Sequence, residues 1–196
     1  MPVDSVEDAE RVAEATNLGL RVPYSDRLTR GGFDPRRLIV SWRIDQADVA
    51  ATGRAMARCR ETFPGATIEV EGDTTDAAWI AIQHADRLFR RADRLEQAYA
   101  DALPVMHLGV EVGLIALVIA RPTRDEAVAA AGELFGSRGV LAGSFDGIAE
   151  ALAAYGRKGI THIMIRHRPG HDDLTPFAES VLPRVRQWEQ GRSAVA

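Results

Sequence analysis

The chain has 196 residues, with 24 basic and 28 acidic side chains, a formal net charge of −4 and 46% hydrophobic residues. That is the balance of a globular domain, and a chain of this length buries roughly 70% of its unfolded surface without needing staples. Cys59 is the single cysteine, which excludes an internal disulfide and any cysteine-built zinc or iron–sulfur site and fits a reducing compartment. The acidic balance, with no polybasic run, argues against electrostatic capture of nucleic acid.

No membrane span is expected, because the longest apolar run, residues 114–120, is far short of the roughly 20 residues a spanning helix needs. Met1-Pro-Val-Asp-Ser5 lacks the basic-then-apolar order of a signal peptide, so the expected location is cytoplasmic. One domain over residues 1–196 is expected. Lys158, the only lysine, stands beside Gly159 at an expected helix end and is a poor candidate for Schiff-base chemistry.

In chain order, Ser5 to Leu18 reads as an N-capped helix stopped at Gly19, followed by a strand over residues 20–24. A polar loop with Gly31, Gly32 and Pro35 leads to a β-branched strand at 38–42 and a helix at 47–61. Pro64-Gly65 marks a turn, 66–70 a strand, 76–84 a helix and 91–102 a further helix ending before Pro104. The clearest strand spans 110–120, and Thr123 is placed to cap a helix over 125–134. Then come a short strand at 139–144 ending on the cap Ser144, a helix with Ile148, Leu152 and Tyr155 on one face, a stop at Gly159, a strand at 160–165 and a closing helix at 174–188. Strands alternating with helices of about a dozen residues imply parallel βαβ crossovers. With six or seven strand candidates, and a full eight-unit barrel typically needing about 250 residues, the chain is either a doubly wound sheet or a barrel lacking pieces.

Four stretches decide between these. Thr67-Ile-Glu-Val-Glu-Gly-Asp-Thr-Thr-Asp-Ala-Ala through Phe89, GLIALVIARPTRDEA at 113–127, Leu141-Ala-Gly-Ser-Phe-Asp-Gly-Ile-Ala-Glu-Ala-Leu with Gly159-Ile-Thr-His-Ile-Met-Ile165, and residues 169–183 together resemble, in order and spacing, the luciferase-like flavin monooxygenases, especially their alkanesulfonate monooxygenase branch. The resemblance is good over 66–187 and weaker over 37–65. It implies a shortened or incomplete (β/α) TIM-type barrel with mostly parallel strands. It also implies reduced FMN (a deazaflavin in sister branches), dioxygen and oxidation of a small organic molecule. A barrel lacking strands leaves open edges, so a homodimer, or a heterodimer with a related barrel protein, is expected.

In that branch the long strand carries an arginine and, two residues on, a histidine that meet the anionic substrate and the oxygenated flavin; the matching residues are Ile115 and Leu117, which can do neither. A Tyr-Pro-His sequence after the last strand is matched by Arg168, Pro169 and Gly170, with His171 one place late, so Arg168 and His171 are the candidate catalytic residues. The phosphate-binding Gly-Gly-Ser-Ser turn is matched by Glu71-Gly72-Asp73-Thr74. The hydroxyls of Thr74 and Thr75 remain candidate phosphate donors, although two carboxylates flank them and Asp73 reads as a helix N-cap. Gly143 and Ser144, at another helix start, form the second candidate cofactor site. Arg138, in the shortened Phe135-Gly-Ser-Arg-Gly139 loop, is nearest to the branch's lid arginine.

Four other groupings favour ordinary structural uses. His107 and Glu111 form a nonspecific acid–base pair, and Trp42 with Trp79 is more simply packing than flavin stacking. Arg87, Arg90, Arg91 and Arg94 read as the solvated entrance of a helix. His162 and His167 point to opposite faces of a strand, so no metal site is assigned.

Overall fold

The computed structural model describes residues 20–23, 38–44, 48–91, 95–166, 168 and 170–193; the expected first helix, the loop at Gly31, Gly32 and Pro35, and His167 and Pro169 lie outside them. The elements are β1 (Leu20–Pro23), β2 (Leu38–Arg43), α1 (Val49–Thr62), β3 (Thr67–Glu71), α2 (Thr75–His84), β4 (Arg87–Arg91), α3 (Leu95–Met106), β5 (Glu111–Arg121), α4 (Arg124–Ala131), β6 (Val140–Ser144), α5 (Phe145–Arg157) and β7 (His162–Arg166). Short turns at Leu174–Pro176 and Phe177–Val181 then lead into α6 (Leu182–Ser193). The strand pairings described are all parallel. They fall into two compact units, Met1–Phe89 with Val105–Glu111, and Arg90–Pro104 with Val112–Ala196.

In the first unit β1, β2, β3 and β4 pair in sequence order, with Val40 opposite Ile68 and Glu69 opposite Arg87. Alternation sorts their side chains. Val40, Trp42, Ile68, Val70 and Leu88 are buried together with Met56 and Cys59 of α1 and Ala77, Ile80 and Ala81 of α2. The opposite parity carries Arg43, Glu69, Glu71 and Arg87, tied by Arg43–Glu71 and Arg87–Glu69 ion pairs, both at 3.4 Å. Arg87 also donates from Nε to Glu111 at 2.6 Å. Burial works against its charge, but Glu111 and then Glu69 outweigh that and hold it above the ordinary arginine range. Asp86 joins helix to strand: its carboxylate accepts from the amide of Ile68 at 2.8 Å and from Arg60 of α1 at 3.1 Å.

In the second unit the eleven-residue β5 is flanked by β6, with Arg121 opposite Ser144, and by β7, with Gly113 opposite His162. One face of β5 (Leu114, Ala116, Val118 and Ala120) forms a core with Ile148, Leu152 and Tyr155 of α5, Ile160 and Val181, and Leu141, Ile163 and Ile165 pack against it. Each large aliphatic side chain buried there contributes about 1.5–3 kcal/mol. The i, i+4, i+7 spacing on α5 therefore has the partner its period demands. That helix starts on Ser144, whose Oγ accepts from the amide of Gly147 at 3.1 Å, and ends where Gly159 takes a φ of 88°, a conformation that favours glycine.

Three expectations are corrected. Arg87, Arg90 and Arg91 lie on strand β4 rather than at a helix entrance. The following helix runs through Pro104 instead of stopping before it. Thr74, not Asp73, caps α2, its side chain accepting from the amide of Ala77 at 3.1 Å.

Candidate functional site

Parallel βα units gather the C-terminal ends of their strands at one edge, and their loops and helix N-termini stand there too. In the second unit that edge carries Arg121, Ser144 and Arg166 at the ends of β5, β6 and β7, with Arg168 and His171 just beyond. The residues 113, 115, 117, 119 and 121 of β5 share the parity opposite the α5-packed face, and pairing puts Val140, Ala142 and Ser144 of β6 and His162, Met164 and Arg166 of β7 with them.

The two candidate catalytic residues have different surroundings. Arg168 donates from Nε to Asp173 Oδ2 at 2.8 Å, from Nη2 to Oδ1 at 2.9 Å and from Nη1 to the carbonyl of Ala130 at 2.6 Å. Asp173, 1% exposed, also accepts from Arg121 at 3.0 Å. Hydrogen bonds from Arg168 foremost, against the opposing pull of burial and with help from Arg121, hold its carboxyl below the usual range. Arg168 is thus engaged in a structural clamp whatever else it does. His171 is exposed, and its amide donates to the carbonyl of Arg168 at 3.1 Å.

The two candidate phosphate sites belong to different units. Thr74 and Thr75 open α2 and are exposed. Glu71 beside them is paired with Arg43, which removes part of the repulsion expected for a phosphate there. Gly72 is required for packing: a Cβ on it would lie 2.8 Å from the carbonyl of Ile44 and 2.7 Å from Cβ of Ala77. Gly143 and Ser144 line an open groove of about 340 Å³ with Arg124, Phe135, Gly147 and Ile148, at the N-terminus of α5, where the Ser144 hydroxyl and the Arg124 guanidinium are donors suited to an anion and the amide of Gly147 is already given to Ser144 Oγ.

The remaining candidates disperse. Ile115 is 2% exposed and Leu117 half-buried. Arg138 pairs with Asp101 at 3.7 Å, Glu111 with Arg87, and Lys158 lies 4.8 Å over the ring of Tyr99. Trp42 is core while Trp79 is 54% exposed. Burial pushes the Cys59 thiol up, against a smaller pull from Arg60. Among the described residues no group of three or more His, Cys, Asp or Glu could hold a metal ion, and no helix is long and apolar enough to cross a membrane. Sequence reasoning passed over Arg121 and Asp173; a strand-end arginine was visible, but its partner 52 residues away was not.

No family model matches the chain, and no curated protein matches it in sequence. Solved structures do. The EDTA monooxygenase of Chelativorans sp. BNC1 matches over 95% of this chain and 78% of its own, with a TM-score of 0.66 and 11% identity. A riboflavin lyase, solved with modified FMN and riboflavin, matches 62% of this chain at a TM-score of 0.53 and 11% identity. A long-chain alkane monooxygenase matches 62% at 0.51 and 13% identity. The chain spans only 43% and 41% of the length of the latter two. The fold is therefore a mostly parallel α/β fold of the (β/α)-barrel type, of which the chain spans part.

Proposed function

We propose that the chain is a luciferase-like flavin protein that uses reduced FMN and dioxygen to oxidise a small organic molecule, of the alkanesulfonate monooxygenase-like kind that its motif order resembles. The observation that carries this reading is the fold likeness to a monooxygenase over 95% of the chain. Of the two places a flavin phosphate would go, the Gly143–Ser144 groove fits better because Arg124 lines it; each has a carboxylate nearby, Asp73 beside Thr74 and Asp146 in the first turn of α5, the latter paired with Arg184. The Ser144 hydroxyl and Arg124, at the N-terminus of α5, would hold the phosphate. A bound reduced FMN would supply the electrons that activate dioxygen, and His171 at the same edge is the candidate proton carrier.

A second reading is favoured by the buried Ile115. In it the chain is a noncatalytic homologue that binds flavin or acts as companion subunit to a full-length paralogue, in a homodimer or heterodimer. The test is titration of the purified chain with FMN and reduced FMN, following flavin fluorescence and elution volume. Micromolar binding with oxygen-dependent consumption of an organic substrate supports the first reading. Binding without turnover supports the flavin-binding form of the second, and no binding at millimolar flavin overturns the first reading and points to a companion or unrelated role.

A further inference from the structure

Leu117 pairs with Val140 of β6 and with Arg166 of β7, so those two strands flank β5 on opposite sides. The amide of Leu117 donates to the carbonyl of Gly139 at 2.7 Å. Backbone groups alternate between the two edges of a strand, so Gly139, Leu141 and Gly143 turn theirs to β5. Ala142 therefore turns its N–H and C=O to the far side, with the carbonyl of Val140 and the amide of Ser144; the amide of Val140 is given to Ser137. Among the described residues no strand pairs with β6 on that side.

That side of β6 is a slot rather than a bare edge. Crossovers between parallel strands are right-handed, and the crossovers through α4 and through α5 run in opposite directions across β5, which puts the two helices on opposite faces of the sheet. The groove of about 340 Å³ is lined by every residue of β6, Val140 to Ser144, with Phe135 before the strand, Arg124 at the start of α4, and Ile148 and Ala151 of α5. It lies where a further strand would run, about 4.8 Å from β6. Phe135 is 42% exposed and makes the wall apolar together with Leu141 and Ile148. Arg124 is exposed and has no ion-pair partner among the described residues. Of the carboxylates around it, Glu126 accepts from the amide of Thr123, Asp146 is paired with Arg184, and Asp125 does not line the groove.

We propose that the open side of β6 receives an extended segment of another polypeptide as an added parallel strand, its backbone bonded to Ala142 and Ser144, its apolar side chains in the groove and its terminal carboxylate on Arg124. Added strands take their affinity from such backbone bonds and their specificity from the pockets beside them. Arg124 and Ser144 are also where a flavin phosphate would be held, so on the flavin-dependent reading the peptide and FMN exclude one another; the binding of the strand does not rest on that reading. The experiment titrates the whole chain, without flavin, into fluorescein-labelled Gly-Thr-Val-Ile-Val-Leu and follows anisotropy. The peptide is used as the free acid, as its C-terminal amide, and as two copies N-methylated on alternate amides, each set facing one edge of the peptide strand. Arg124→Ala is titrated alongside, with circular dichroism confirming its fold.

The free acid binds roughly tenfold or more tighter than the amide, and Arg124→Ala removes that difference. One methylated set binds roughly tenfold or more weaker, having lost the donors that face β6, while the other binds like the parent peptide. The proposal is overturned if both sets bind alike, if Arg124→Ala keeps the preference for the acid, or if the chain binds none of the peptides at millimolar concentration. Elution of the chain alone as a dimer that the peptide dissociates makes the occupant a second copy, and the assignment to another polypeptide falls. FMN and riboflavin titrated against the bound peptide separate this inference from the flavin reading. Displacement by FMN and not by riboflavin supports both, whereas peptide binding in a chain that takes no FMN overturns the flavin reading and leaves the added strand standing.

Discussion

Arg168 and Asp173 meet as fork to fork, with Nε on one carboxylate oxygen at 2.8 Å and Nη2 on the other at 2.9 Å. Arg121 supplies a third donor from the end of β5, so a single buried carboxylate ties the loop after β7 to that strand, while Arg168 also holds the carbonyl of Ala130 in α4. Asp173→Asn leaves two guanidiniums without their counter-charge at a site where Asp173 is 1% exposed. The expected loss is about 3 kcal/mol, the lower end for breaking a buried pair, because both arginines keep some access to water. Because the folded-state pKa lies below the ordinary 3.8, the stabilisation is present above that value and is lost as pH falls through the folded one. Urea unfolding at pH 7 and pH 3 should show a smaller acid loss in Asp173→Asn than in wild type; equal losses would remove Asp173 from the account.

Ser144 and Thr123 separate capping from ligand binding. Each side chain accepts from an amide three residues on, at 3.1 Å for Ser144 and 3.2 Å for Thr123, and Glu126 reciprocates to the amide of Thr123, completing a capping box. Replacing either by Ala costs about 1 kcal/mol of stability. Only Ser144→Ala should also weaken FMN relative to riboflavin, as Ser144 lines the groove with Arg124. Equal flavin affinities in the two variants would move the phosphate away from Ser144, and Thr74→Ala would then be the variant to titrate.

What the sequence revealed, and what it hid, follows from how local each signal is. Helix α5 was legible to its cap, its buried face and its stop because 3.6-residue periodicity, Ser144 and Gly159 all lie within sixteen residues. Strand β4 was not, because Arg87-Leu-Phe-Arg-Arg91 reads as a charged helix face until Glu69 and Glu111, 18 and 24 residues distant, neutralise Arg87. The helix end at Pro104 was misjudged for a related reason. Proline removes one amide, yet Pro104 is exposed, so the carbonyl it leaves unserved can turn to water. Of the candidate site, the chain positions of Ser144, Arg168 and His171 were readable, while the clamp on Arg168 and the alignment of Arg166 with Leu117 depend on pairing between strands.

Two glycines of opposite purpose test the packing. A Cβ at Gly72 would meet the carbonyl of Ile44 at 2.8 Å and Cβ of Ala77 at 2.7 Å, and neither is the far end of a flexible side chain. Gly72→Ala should destabilise by about 1–3 kcal/mol through overpacking. Gly156, in the last turns of α5, has nothing within 4 Å of such a Cβ, so Gly156→Ala should stabilise by about 0.5–1 kcal/mol. Thermal melts should place the variants on opposite sides of wild type, and a stabilised Gly72→Ala would mean that the β3–α2 turn is looser than its contacts indicate.

Restoring an arginine and a histidine to β5 should be unequally tolerated. Ile115 is 2% exposed and pairs with Met164, so Ile115→Arg drives a guanidinium into an apolar position and should cost about 3 kcal/mol or more. Leu117 is half-buried beside the exposed Arg166. Leu117→His should cost under about 1 kcal/mol, and its imidazole should titrate below the ordinary histidine range because the neighbouring guanidinium opposes a second positive charge. Denaturant unfolding of both single variants at pH 7, with an NMR titration of the introduced imidazole, measures the contrast. If Ile115→Arg unfolds within 1 kcal/mol of wild type, position 115 can hold a charge, and burial does not account for an isoleucine standing where the resemblance expects an arginine.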